Sequence, residues 1–300
     1  MTLKQLEAFY WAATCINFAV AAQRVHLSVS SLSKRIGELE NSLNVQLFDR
    51  SGRNAKLTER GEQLLPRVRE FLRASVQLQQ SVGQHLGLQG RCRLGMGELS
   101  ALTWLPDLVR KAAELHPALE IEPCVDIGQV LEQRIDDGEL DCVVIAGYAS
   151  RNHLATEIVG DGQFVWVASR ELIERAGADH PRLLIGNQTL VSLPDGAGST
   201  RILDQWLSEQ RVSVNRRLTC NNWGAVVGMF VAGTGFGFMP TRWAQELEAR
   251  AALQILARDE TLAPLTYAAQ WRRDDSRLLI SELREMIKFC FHLTAPRALT

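Results

Sequence analysis

Between residues 18 and 57, apolar and polar positions alternate at the spacing of two short amphipathic helices joined by a tight turn. The second predicted helix begins at Ser28, whose hydroxyl can cap the free N–H groups of the first turn. Its apolar positions fall on one stripe at helical spacing: Val29, Leu32, Ile36, Leu39 and Leu43. This pattern predicts a helix-turn-helix whose second helix buries one face and exposes the other.

The exposed face of the second helix starts with short hydroxyls and a long cation, which suits donor and acceptor recognition in the major groove of DNA. A hairpin around Ser51 and Gly52 then supplies cations that can neutralise phosphates without reading sequence. Charged helix faces are often only solvated, but a helix, a turn, a Ser-rich start and a basic wing together favour DNA binding. The predicted DNA-binding residues are Ser30, Ser31, Lys34, Arg35, Arg50, Arg53 and Lys56.

The N-terminal pattern resembles the signature of LysR-type transcriptional regulators. The resemblance lies in the mutual spacing of Leu3, Leu6, Phe9, residues 18–22, Ser33, Ile36, Leu39-Glu40, Leu43, Leu47-Phe48, Arg50, Leu57-Thr58 and Gly61. Two positions depart from it: Val29 stands where Gln is common, and Asn44 where Gly is common. Asn44 therefore predicts a left-handed turn residue. The resemblance implies a winged helix-turn-helix over residues 1–58 that binds double-stranded promoter DNA.

A long helix is predicted after Thr58, which can cap it, and its apolar positions alternate in steps of four and three. These positions are Leu64, Val68, Phe71, Ser75, Leu78 and Val82. So narrow a seam predicts pairing with the same helix of a second copy, and the alternative is packing on the chain's own body. Pro66 should kink or break the helix. In the resembling family this segment, here 59–90, dimerises the protein, which implies a homodimer and further pairing into homotetramers.

Beyond residue 90, short apolar runs alternate with helical spacing, which predicts βαβ units and a mostly parallel sheet. The family resemblance implies a two-lobed, periplasmic-binding-protein-like α/β effector domain over 91–300. The chain would cross between the lobes near 162 and 266, so that lobe I is 91–162 with 267–300 and lobe II is 163–266. The predicted fold class is thus α/β, with an N-terminal winged helix-turn-helix and a long linker helix.

A ligand cleft is expected beyond the carboxyl ends of the strands, where the two lobes face each other. Hydroxyls and helix starts there favour a small polar or anionic effector, although Ser and Thr at helix starts are often only caps. Gln129 stands where the family more commonly has Ser or Thr. The predicted effector-binding residues are Leu99, Ser100, Thr103, Gln129, Tyr148, Ser199, Thr200, Asn222 and Phe236.

Composition adds little to this picture. The net charge is −1, and the six cysteines and six histidines are dispersed, with no spacing typical of a metal site. We therefore expect free thiols, no metal and no cofactor. The first predicted helix, capped by Thr2 with Gln5, starts almost at once, and no apolar run approaches membrane-spanning length. These features predict a cytoplasmic protein.

Parts of the sequence also fit two other functions. Gly95 and Gly97 after a strand, with Asp126 near the end of the next, resemble a dinucleotide fingerprint and suggest an NAD(P)-dependent oxidoreductase. However, Ser100 replaces the third glycine, and residues 1–90 would have no role in such an enzyme. A solute-binding protein shares the two-lobed architecture, but the expected signal segment is missing. No G-x-S-x-G elbow supports serine catalysis, so we expect a regulator and not an enzyme.

Overall fold

The N-terminal domain is a small helical unit with a two-stranded wing. The computed structural model describes residues 1–50, 55–82, 88–147, 149, 151–258, 262–275 and 277–295. The domain's elements are α1 (Leu3–Thr14), α2 (Phe18–Arg24), α3 (Val29–Leu43), β1 (Phe48–Asp49) and β2 (Lys56–Leu57), with β1 and β2 antiparallel. Thr2 and Gln5 form the predicted capping box of α1. This confirms the predicted start of the first helix.

Helix α3 begins and ends as predicted. The Ser28 hydroxyl accepts a hydrogen bond from Ser31 N at 3.1 Å, and Asn44 closes the helix in the left-handed region, with φ 53°. The buried stripe comprises Leu32, Ile36 and Leu39. Val29 was wrongly placed on that stripe: it is 46% exposed, because the first residue of the helix lies beyond the contact with the preceding helices.

The long helix α4 (Glu59–Val82) runs through Pro66 without a break. Thr58 caps it, since Gly61 N donates to Thr58 Oγ1 at 3.1 Å. Only part of the predicted seam is exposed: Val68 is buried in the N-terminal domain, whereas Phe71 is 53% and Leu78 66% exposed. The helix therefore packs its first turns on its own domain and exposes apolar side chains further along.

The effector region begins with a five-stranded sheet, whose neighbouring strands are, in order, β4 (Ala118–Val125), β3 (Gln89–Met96), β5 (Cys142–Ala146), β12 (Leu265–Arg272) and β6 (Leu154–Gly162). Strands β3, β4 and β5 are mutually parallel, whereas β12 runs antiparallel to both of its neighbours, β5 and β6. The elements, in chain order, are β3 (Gln89–Met96), α5 (Glu98–Thr103), α6 (Leu105–Leu115), β4 (Ala118–Val125), α7 (Gly128–Asp136), β5 (Cys142–Ala146) and β6 (Leu154–Gly162). Two helices, α5 and α6, connect β3 to β4, because the chain turns at Trp104.

A second α/β layer is inserted before the chain returns to the first sheet. It contains a three-stranded antiparallel sheet, β10-β7-β11, and a parallel pair, β8-β9. Its elements are β7 (Phe164–Ala168), α8 (Arg170–Ala176), α9 (Pro181–Asn187), β8 (Leu190–Ser192), α10 (Thr200–Gln210), β9 (Arg217–Thr219), α11 (Trp223–Val231), β10 (Gly237–Pro240), α12 (Thr241–Ala249) and β11 (Gln254–Ile255). The return is β12 (Leu265–Arg272) and α13 (Leu278–Cys290). Sequence reasoning missed β6, α8, α9 and β11.

The N-terminal domain docks on the first sheet through a buried ionic contact. Asp141, directly before β5, has a fully buried side chain and accepts from Arg24 Nη1 at 2.5 Å. Arg277 also donates to Asp141, and both guanidinium groups lie 5.0 Å from the ring centre of Trp11. Arg93 N adds a hydrogen bond at 2.8 Å to the second carboxylate oxygen. We call this set of four side chains, Trp11, Arg24, Asp141 and Arg277, the junction.

Candidate nucleic-acid interface and ligand cleft

The exposed face of α3 carries the predicted base-reading residues. Ser30, Ser31 and Lys34 are all exposed and lie opposite the buried stripe. The Ser28 hydroxyl contacts the Ser30 and Ser31 hydroxyls at 2.9 and 2.8 Å, which orders the start of the helix. At 15 residues the helix is roughly 22 Å long, a length that fits a major groove. Its geometry therefore suits insertion into duplex DNA.

The wing is held by a buried carboxylate that sequence reasoning did not assign a role. Glu40 Oε1 accepts from the backbone N–H groups of Leu47 and Phe48 at 2.8 and 3.1 Å, while Oε2 lies 3.4 Å from Arg50 Nη2. Because these N–H groups lead into β1, Glu40 fixes the wing relative to α3. The sequence did contain a signal for Glu40, because the spacing of Leu39-Glu40 and Leu47-Phe48 belongs to the family signature. That spacing pointed to the family but did not show that the Glu40 carboxylate binds the backbone of Leu47 and Phe48.

The other predicted DNA-binding residues are less uniform in position. Lys56 is exposed on β2, and Arg50 keeps part of its side chain in solvent. Arg35 is half-buried and lines a groove beside Lys4 and Glu7, away from the face that carries Lys34. Arg53 lies outside the described residues. The structure thus brings Ser30, Ser31 and Lys34 together and leaves Arg35 on another side of the helix.

A cavity of about 800 Å³ lies between the two α/β layers, at the carboxyl ends of β3, β4 and β5. One wall comes from the starts of α5 and α7, and the other from residues 193–201 and the start of α11. This is the size range of small-molecule sites, and its position is the one expected for open α/β sheets. The cavity is therefore the candidate effector cleft.

The two walls are bridged by the carboxylate of Glu98. Its oxygens accept from Asn222 Nδ2 at 2.7 Å and from Trp223 N at 2.9 Å, while Asn222 Oδ1 accepts from Ala225 N at 2.8 Å. Burial raises the pKa of Glu98, and the hydrogen bond from Trp223 N opposes that rise. The start of α11 is thus already occupied by an anionic group from the opposite wall.

Glycines allow the walls to approach closely. A Cβ on Gly198 would collide with the Ala146 side chain, and one on Gly147, where φ is +93°, would collide with the guanidinium of Arg201. The residue 193–201 segment consequently lies directly over the end of β5, and Arg201 reaches into the cleft. A larger side chain at Gly198 would force the lobes apart, whereas one at Gly147 would displace the flexible Arg201 side chain and strain the left-handed backbone.

Most predicted effector-binding residues line the cleft. They are Leu99, Ser100, Gln129, Ser199, Thr200 and Asn222. The structure does not bring Thr103 or Phe236 to it. Thr103 is buried and donates to the Leu99 carbonyl of its own helix at 2.7 Å, and Phe236 packs on Trp166 in the second-lobe core. Tyr148 lies outside the described residues.

Three charged cleft residues were missed: Glu132, Arg201 and Asp204. Helical spacing could have revealed them, because Glu132 lies one turn after Gln129, and Arg201 and Asp204 follow Thr200 on the same helix. Sequence reasoning stopped at the helix starts and did not continue one turn further along each helix.

The described residues form neither a metal site nor a membrane span. No group of three or more His, Cys, Asp and Glu could hold a metal ion, and no described helix is long and apolar enough to cross a bilayer. All six cysteines are free thiols, and burial raises the pKa of Cys142 to about 12 and that of Cys15 to about 11. The Cys142 and Cys15 thiols are thus kept in their protonated form at neutral pH.

Comparison with known proteins identifies the family. Residues 85–289 match the model of the LysR substrate binding domain, and residues 3–62 match the bacterial regulatory helix-turn-helix protein of the lysR family. The chain belongs to the LysR family of transcriptional regulators. The family resemblance and the predicted fold class are both confirmed.

Individual relatives support the same assignment. GltR, a transcriptional regulator of Bacillus subtilis, is 25% identical over 244 residues, covering 80% of each chain. IlvR of Caulobacter vibrioides is 31% identical over 195 residues, covering 61% of this chain and 66% of that protein. The NAD(P)-dependent oxidoreductase alternative finds no support in these comparisons.

Solved full-length LysR-type regulators share the fold. OxyR of Pseudomonas aeruginosa superimposes with a TM-score of 0.62 at 21% identity, covering 97% of this chain and 99% of that one. LysG of Corynebacterium glutamicum, solved with bound effector arginine, gives 0.62 at 18% identity, covering 97% and 98%. LysR-type regulators combine a DNA-binding helix-turn-helix with an effector-binding domain, and this chain has both.

Proposed function

We propose that the chain regulates transcription by inserting the exposed face of α3 into the major groove of promoter DNA, with the wing on the flanking phosphates. The observation that carries this proposal is the joint exposure of Ser30, Ser31 and Lys34 opposite a buried stripe. In this proposal Ser30, Ser31 and Lys34 bind base edges, and Arg35 supports them from the side. The wing cations neutralise phosphates; they are Arg50, Arg53 and Lys56.

Mobility-shift titrations with the region upstream of the chain's own gene test the DNA contacts. We expect Lys34→Ala to weaken operator binding about 10- to 100-fold while changing random-sequence binding little. Lys56→Ala should weaken both DNAs alike and reduce the salt slope by about one. Lys111→Ala, on α6 of the effector domain, is the matched control. Equal losses on operator and random DNA for Lys34→Ala would place that residue on a phosphate and contradict its role.

We also propose that α4 pairs with α4 of a second copy, giving a homodimer that can assemble into a homotetramer. Phe71 and Leu78 support this, because both lie on the predicted seam and both are exposed. A Phe71→Glu, Leu78→Glu double variant should therefore lower the mass measured by light scattering, and an unchanged mass would contradict the pairing. In this proposal the chain has three units: a DNA-binding domain over residues 1–58, a dimerisation helix over 59–90 and an effector-binding domain over 91–300. Within the last unit, the chain crosses between the two lobes near residues 162 and 266.

The effector in this proposal binds between the lobes and changes how the paired N-terminal domains hold the operator. Leu99, Ser100, Gln129, Ser199, Thr200 and Asn222 support it by lining the cleft. A ligand shifts such an equilibrium only if it prefers one arrangement. Footprints with and without the cognate effector should differ, and identical footprints with unchanged transcription would contradict it. The chain acts in the cytoplasm, without cofactor or catalytic activity.

A further inference from the structure

The charges on the cleft walls are unequal. Among the residues that the structure describes, four carboxylates and one guanidinium, that of Arg201, line the cavity; the carboxylates are Glu98, Asp126, Glu132 and Asp204. Three of the carboxylates lie on the first-lobe wall, whereas Asp204 shares helix α10 with Arg201 on the second-lobe wall, so the negative charge is concentrated on the first wall. In a partly desolvated cleft such an excess attracts a cation and repels an anion.

Two places beside helix starts that could receive an anion already hold a carboxylate of the protein. Asn222 Nδ2 and Trp223 N, at the start of α11, both donate to Glu98. Asp126 likewise accepts from the N–H of Ile127 at 2.8 Å, directly before α7. An effector carboxylate would have to displace a carboxylate of the protein from either place.

A buried hydroxyl provides the second, independent observation. Ser100 has no solvent exposure, lines the cleft, and its Oγ has no hydrogen-bond partner within the described part of the chain. A buried hydroxyl left without a partner destabilises the fold, and a ligand atom that bonds to it would recover the missing hydrogen bond. The occupant therefore needs a hydrogen-bonding group as well as positive charge.

We propose that the effector is a small organic cation, an amine or guanidinium compound, whose charge is balanced by the carboxylates of the cleft and whose polar group bonds to Ser100 Oγ. This rests on the proposed function and specifies the effector within the polar class expected from the sequence. The cavity of about 800 Å³ accommodates molecules of the size of a basic amino acid or a diamine.

The test uses the full-length protein and defined probes. Calorimetric titration and thermal unfolding are measured with arginine, agmatine and putrescine as cations, and with succinate and benzoate as anions. At least one cation should give a saturable rise in Tm, and neither anion should.

Variants of the charged residues locate the binding site, because removing a carboxylate should weaken binding of the cation and removing the guanidinium should strengthen it. The Asp126→Asn, Asp204→Asn double variant should weaken binding of the cationic probe about tenfold or more, as loss of charge-assisted contacts predicts. Arg201→Gln should strengthen it about two- to threefold by removing the opposing charge. Glu209→Gln, on the same helix as Asp204 but outside the cleft, is the control and should change nothing.

Each outcome decides the inference. Binding of an anion alone, no binding of any cation, or equal affinity in the double variant and the Glu209→Gln control would overturn it. Retardation of promoter DNA by the same preparation is measured in parallel. If the protein binds DNA but no cation, only the proposal of a cationic effector is contradicted. If the unmodified protein does not bind promoter DNA, the proposed function as a transcriptional regulator is contradicted as well.

Discussion

Removing the charge of Asp141 should destabilise the protein far more than removing a surface carboxylate. The Asp141 side chain has no solvent exposure and that of Arg24 only 6%, and they meet at 2.5 Å. In Asp141→Asn, Arg277 keeps Asp275 at 2.5 Å, but Arg24 loses the carboxylate and keeps only the Gly138 carbonyl, 2.6 Å from Nε. The variant thus leaves one buried guanidinium without a counter-ion.

The expected magnitude follows from that uncompensated charge. Breaking a buried ion pair by removing one partner costs roughly 3–5 kcal/mol. The asparagine can still accept the hydrogen bond from Arg93 N, which places the expectation near the lower limit, about 3 kcal/mol. The free energy of unfolding is measured by urea denaturation, followed by circular dichroism and by tryptophan fluorescence, since coincident transitions are needed for a single value.

Glu120→Gln is the matched control. Glu120 pairs with Arg91 at 3.3 Å on the same sheet, but its side chain is 68% exposed, so the loss should stay below about 1 kcal/mol. If the two variants lose stability to within about 0.5 kcal/mol of each other, the junction contributes no buried ion pair and the reasoning is refuted.

The dependence on pH has a definite sign. Burial alone raises the pKa of Asp141, but the positive charges of Arg277 and Arg24 and the hydrogen bonds from Arg277 and Arg93 lower it more, so the net pKa lies below 3.8. A carboxyl whose pKa is lower in the folded state stabilises the fold above its unfolded pKa and loses that effect as pH falls through the folded value. The difference between wild type and Asp141→Asn should thus be constant from about pH 5 to 8 and shrink only below about pH 4.

Two further predictions concern packing and thiol chemistry. Gly61→Ala should destabilise the N-terminal domain by about 1–3 kcal/mol in urea, because the new Cβ would collide with the Leu47 carbonyl. Gly37→Ala, in open space on α3, should instead stabilise it by up to about 1 kcal/mol, and effects of the same sign would contradict the packing argument. A thiol reagent at about pH 8 should modify native protein rapidly at no more than three of six cysteines, since Cys92, Cys142 and Cys290 are buried. Urea should release all six, and fast reaction of more than three in native protein would show that the buried thiols are accessible.

Local signals explain why the N-terminal domain could be predicted well. The caps at Thr2 and Ser28 and the left-handed Asn44 depend on neighbours a few residues away, so the sequence pattern contains them. The prediction that Val29 is buried was wrong, because periodicity alone does not show where a helix extends beyond the elements that it packs against.

Contacts between distant residues set the limit of prediction. The Arg24 and Asp141 pair joins positions 117 apart in the chain, and nothing in either local pattern indicates it. The cleft was predicted from the rule that ligands bind beyond the carboxyl ends of parallel strands, and this rule correctly identified Ser100 and Asn222 as lining it. The same rule also selected Phe236, whose ring is buried in the second-lobe core. The charge of the cleft depends on helix residues beyond the first turn and therefore required the assembled structure.

Strand β5 joins the junction to the cleft within one short element. It follows Asp141 directly and ends at Ala146, which touches the residue 193–201 segment across the ligand cavity. An engineered chimera that joins a different N-terminal domain to this effector domain would thus keep the buried carboxylate of Asp141 directly before β5. A donor domain without an arginine at the position of Arg24 would leave Asp141 paired with Arg277 and would lose the buried ion pair that joins the two domains here.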